Sequence, residues 1–124
     1  MHSKMKQLLT ALAISTAVIS APTSAFAAGS GASTIDQGKK LVFSRSKGNC
    51  LACHAIAGGQ QAGNIGPALI AMKLRYPDKQ NLVNKISGTS DSQTVPNSMM
   101  PPFGKHGILS DSEINKIADF IYTL

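Results

Sequence analysis

Tryptophan is absent from the 124 residues, and the aromatic side chains amount to four Phe and two Tyr. A short chain with so few large rings buries a thin core and stands near the edge of stability unless something else fills its interior. Cysteine occurs only as Cys50 and Cys53, which excludes a multi-disulfide scaffold. Acidic residues number six against twelve Lys and Arg, and the basic ones are scattered without a dense run or interleaved aromatics. Nucleic acid is therefore not an expected partner. Alternating strand patterns and internal repeats are also missing.

The first residues carry an export pattern. Lys4 and Lys6 precede an apolar stretch from Leu8 to Ile19, too short for a membrane span, and Ala25-Phe26-Ala27 supplies the small residues that a signal peptidase reads. Residues 1–27 are expected to be a secretory signal peptide cleaved after Ala27, residues 28–33 a flexible leader of Gly, Ser and Ala, and residues 34–124 one small domain. The expected compartment is the periplasm, with no membrane span after cleavage.

Helical signals bracket that domain. Ser33 with Asp36 resembles a capping box, followed by Ile35, Leu41, Val42 and Phe43, which predicts a helix from about Thr34 to Arg45. Gly38 in its middle weakens the helix but permits another to cross closely. At the far end Ser110 and Glu113 form a second capping box, and Ile114, Ile117, Ile121 and Leu124 recur at helical steps. Between them lie a Gly-rich stretch from Gly58 to Gly66 and short helices expected over Pro67 to Arg75 and Lys79 to Ile86. Pro96, Pro101 and Pro102 make Gly88 to Gly107 an irregular loop.

Cys50-Leu51-Ala52-Cys53-His54 is the attachment pattern of a c-type haem. Two intervening residues in a helical turn bring both thiols to one side, where they can add to two porphyrin vinyl groups, while the adjacent imidazole meets the iron. A thioredoxin-like redox pair lacks its strands, and a zinc site lacks ligands, since His106 alone remains among the cysteines and histidines of the domain. A disulfide between cysteines so close would leave His54 unexplained. One covalent haem c would also supply the missing core.

Candidates for the sixth iron ligand are Met72, Met99, Met100 and His106. Met100 is preferred because Pro101-Pro102 stiffen the loop behind it, with Met99 its rival, since neighbours in an extended loop point opposite ways. Met72 is expected to fill core space and His106 to lie on the surface. The second ring nitrogen of His54 needs a backbone carbonyl, for which Gly66-Pro67 is the expected source; Pro67 also suits a helix start. The basic residues form either a solvated surface or a docking face for an acidic redox partner.

Three blocks, Gly48-Asn49-Cys50-Leu51-Ala52-Cys53-His54, Gly63-Asn64-Ile65-Gly66-Pro67 and Met100 through Leu109, resemble the SoxX family, and the third is the most specific. The first two are shared more widely by class I cytochromes c. The resemblance implies an all-α, class I cytochrome c-like fold, with N- and C-terminal helices crossing around a covalently bound haem. It makes His54 the proximal iron ligand and Met100 the distal one, with Cys50 and Cys53 as attachment points.

SoxX proteins are the monohaem electron-transfer subunits of SoxAX complexes, which conjugate thiosulfate oxidatively to a cysteine of the carrier protein SoxY (L-cysteine S-thiosulfotransferase). The implied partners are a haem-bearing SoxA-like subunit, SoxY through the complex, and a downstream electron acceptor. No catalytic residue is expected here, because haem attachment consumes both cysteines and leaves no thiol to ligate a catalytic iron. Forming a sulfur–sulfur bond releases two electrons and one iron carries one, so the chain is a relay. The alternative is a stand-alone diffusible periplasmic cytochrome c; a peroxidase-like activity would need an open iron position, against Met100.

Overall fold

A computed structural model describes residues 30–89 and 98–124; the expected signal peptide and residues 28–29 of the expected leader lie outside them. Among the described residues four α-helices form in the order α1 (Ser30–Phe43), α2 (Met72–Arg75), α3 (Lys79–Ser87) and α4 (Asp111–Ile121), with a 3-10 turn over Cys50–Ala52 between α1 and α2. No strand occurs among the described residues, and the fold is the all-α, class I cytochrome c-like arrangement. No described helix is long and apolar enough to cross a membrane.

Helix α4 starts where its chemistry says it should. The Ser110 hydroxyl accepts from the Glu113 N–H at 3.3 Å, and the Glu113 carboxylate accepts from the Ser110 N–H at 2.9 Å, so two otherwise unpaired donors are satisfied reciprocally. Its apolar positions Ile114, Ile117, Ala118, Phe120 and Ile121 are all buried. They receive α1, whose Val42 is fully buried, and α3, which contributes Leu82, Val83 and Ile86.

The crossing of α1 and α4 explains Gly38. A Cβ there would overlap the carbonyl of Lys116 and meet the Phe120 Cβ at 3.1 Å, so the two backbones touch only because the side chain is missing. One turn further on, the rings of Phe43 and Phe120 pack at 6.2 Å between centroids, tilted by 59°.

Three helix boundaries differ from the sequence expectation by two residues or more. Helix α1 is already helical at Ser30, so residues 30–33 continue it rather than forming a leader, and Ser33 lies within the helix instead of capping it. It also stops at Phe43, two residues early, because the Leu41 carbonyl turns to the N–H groups of Ser44 and Gly48. The helix expected over Pro67 to Arg75 shrinks to Met72–Arg75. Upstream, the Leu69 N–H pairs with the Ala55 carbonyl at 2.9 Å, and Ala71 has left-handed backbone at φ 50°; both remove residues 67–71 from any helical ladder. The Met72 N–H then finds the Leu124 carbonyl at 2.9 Å, joining this segment to the end of the chain.

Candidate haem site

Helix α1 hands the chain to the Cys-Leu-Ala-Cys-His turn through Gly48, whose N–H donates to the Leu41 carbonyl at 3.2 Å. Asn49 takes left-handed backbone at φ 45°, and the 3-10 turn follows, closed by N–H donation from Cys53 (3.2 Å) and His54 (2.9 Å) to the Cys50 carbonyl. Cys50, Cys53 and His54 are half-buried and line one cavity together. Burial pushes the Cys50 thiol up to about 11, against a smaller lowering by a backbone hydrogen bond, and neighbouring Cys53 adds to the rise. A neutral, sheltered thiol is the opposite of the low-pKa thiolate of a redox pair. No group of three His, Cys, Asp or Glu side chains suited to a metal ion assembles among the described residues.

The Gly-rich stretch folds back over this turn. Gly63 N–H donates to the Leu51 carbonyl at 2.9 Å and Gly66 N–H to the Cys53 carbonyl at 2.8 Å. Pro67 then presents its carbonyl to His54 Nδ1 at 2.7 Å. A carbonyl can only accept, so Nδ1 carries the proton and Nε2 is left as the donor of a lone pair. Gly66 lies flat against the same imidazole: a Cβ on it would sit 2.6 Å from Nδ1 and 2.9 Å from Nε2.

The methionine loop, which is pinned to the end of α3, also lines the cavity. The N–H groups of Phe103, Gly104 and Lys105 donate to the Ile86 and Ser87 carbonyls at 3.0–3.1 Å, satisfying acceptors that a helix end leaves open. Gly88, at φ 88°, ends α3, and its bare Cα is what Pro102 packs against. Held this way, Met100 is half-buried against the core while Met99 is 73% exposed; both line the cavity. Met72 is buried in the core and His106 is exposed.

The cavity encloses about 470 Å³. Its floor is Leu69, Met72, Leu82, Ile86, Leu109, Ile117 and Ile121, drawn from α2, α3, α4 and the segments just before α2 and α4, and its polar wall includes Arg75, Tyr76 and Lys85. The Arg75 guanidinium is tethered there by donation to the Ala68 carbonyl at 2.9 Å and to the Met72 sulfur at 3.6 Å. A mostly apolar slot lined by an imidazole, three thioethers and two thiols fits a haem that adds the apolar bulk this core lacks. Sequence reasoning named Gly66-Pro67 as the source of the carbonyl for His54, but did not foresee the packing of Gly66 on the ring, the left-handed backbone of Asn49, or Arg75, Tyr76 and Lys85 on the cavity wall.

Residues 35–124 match the family model described as Cytochrome c, so the chain belongs to the cytochrome c family. It is an electron-transfer haem protein, and the family carries a covalently bound haem c. No curated protein matches the chain.

Proposed function

We propose that this chain is the SoxX-type electron-transfer subunit of a periplasmic thiosulfate-oxidising complex, with Cys50 and Cys53 carrying a single haem c. His54 Nε2 would be the proximal iron ligand and the Met100 sulfur the distal one. When bound, the haem supplies one reversible electron.

The observation that carries the electron-transfer role is the half-buried Met100, on the cavity that His54 also lines, in a loop whose backbone is bonded to α3. Two protein ligands saturate the iron and favour electron transfer over substrate binding. His54 donates to Pro67 through Nδ1, which fixes its tautomer and strengthens Nε2 as a ligand. Met100 brings a soft donor that favours reduced iron. The SoxX assignment itself rests on the run from Met100 to Leu109. With both cysteines committed to haem, conjugation of thiosulfate to the carrier cysteine falls to a SoxA-like haem subunit, and this chain relays the electrons to a downstream acceptor.

Native pull-down from periplasm of thiosulfate-grown cells, followed by haem staining, tests the assignment. A larger haem-bearing companion is the expected result. Elution of the protein by itself would overturn the subunit role and leave a diffusible cytochrome c.

A further inference from the structure

We propose that Met99 is a modification site: a peroxide-reactive thioether at the rim of the cavity, oxidised ahead of Met100 and Met72. Three thioethers line this cavity, and the fold grades them by access. Met99 is 73% exposed, Met100 is half-buried against the core, and Met72 is 2% exposed. Backbone bonds from Phe103 and Gly104 to α3 pin the loop three residues beyond Met100.

Oxidation of a thioether follows access to its sulfur lone pair. The lone pair attacks one oxygen of hydrogen peroxide, the S–O bond forms as the O–O bond breaks, and a proton passes to the departing oxygen, which leaves as water. Sulfur loses two electrons and becomes a sulfoxide, which a methionine sulfoxide reductase can reverse. Met99 is exposed and takes no part in the core, so an oxygen added there leaves the core packing intact. On Met100 it would remove the soft donor of the proposed distal ligation, so the significance of the order rests on that reading. The exposed thioether is the one that can be marked and restored without disturbing the iron.

The test treats ferric holoprotein with limiting hydrogen peroxide and follows the oxygen by peptide mass mapping, with fragmentation between residues 99 and 100. Met99 is expected to gain oxygen on the order of tenfold faster than Met100 or Met72, with the sulfur-to-iron band retained. In denaturant the three rates should converge, and Met99→Leu should remove the fast phase in the folded protein. Oxidation of Met100 or Met72 as fast as Met99 in the folded protein would overturn the proposal. Absence of the sulfur-to-iron band before any peroxide is added would instead sink the ligand assignment, and the relative rates of Met99 and Met100 would still decide the modification site.

Discussion

His54 Nδ1 donates to the Pro67 carbonyl at 2.7 Å, across thirteen residues of chain. That bond sets the tautomer and leaves the Nε2 lone pair for the iron. Together with the Leu69–Ala55 bond it ties residues 67–69 to the haem-attachment turn, where the sequence pattern predicts the start of a helix.

Gly66 completes that clamp from the ring face, and its substitution isolates the contact. Its φ is not left-handed, so alanine meets no backbone penalty, only the imidazole at 2.6 Å. Gly66→Ala should displace the ring, lower the fraction of protein carrying haem and cost about 1–3 kcal/mol in unfolding, as overpacking does. Haem loading by absorbance and a urea midpoint measure both. Wild-type values for the two together would show that the ring has room.

Met99 and Met100 give a discriminating pair. Because Met100 is turned to the core and Met99 to solvent, Met100→Ala should abolish the sulfur-to-iron charge-transfer band of the ferric protein. Met99→Ala should keep it. The reverse pattern would exchange the two assignments.

Local chemistry made parts of this fold legible. The cap at Ser110 and Glu113, the apolar steps from Ile114 to Ile121 and the Cys-x-x-Cys-His turn are each decided within a few residues, and a sequence reports them directly. Residues 67–71 read as helix because Pro67 suits a first turn. Their real partners, His54 and Ala55, lie more than ten residues away and leave no local trace. The same reason hid the role of Gly66 and the tethering of Arg75 through Ala68. Gly38 was readable as a close crossing, but not that its neighbour would be the Lys116 carbonyl.

Gly38 sets two effects against each other. Alanine favours a helix over glycine by about 1 kcal/mol, yet here the added methyl group would strike the Lys116 carbonyl. Backbone is a poor thing to move, and spreading α1 from α4 should cost about 1–3 kcal/mol, so the clash wins. Chemical denaturation of Gly38→Ala should give a lower midpoint. A higher one would mean that propensity governs and that the helices can part cheaply.

Glu113 gives the pH dependence. Its Oε1 lies 2.8 Å from Lys47 Nζ and its Oε2 accepts from the Ser110 N–H at 2.9 Å, and these partners, Lys47 foremost, hold its carboxyl down at about 2 from an ordinary 4.5. A carboxyl lowered on folding stabilises the protein fully above its unfolded value, and the contribution disappears as pH falls from about 4.5 through about 2. Lys47 belongs to the loop just before Cys50, so the bridge fastens the haem-attachment turn to the start of α4. Glu113→Gln keeps an acceptor for the cap while removing the charge. The thermal midpoint of the variant should fall below that of the parent at neutral pH, the gap should close on acidification toward pH 2, and added salt should narrow it because the pair is solvent-exposed. A gap that is constant with pH, or that widens in acid, would mean that the cap alone, and not the bridge to Lys47, stabilises this end of α4.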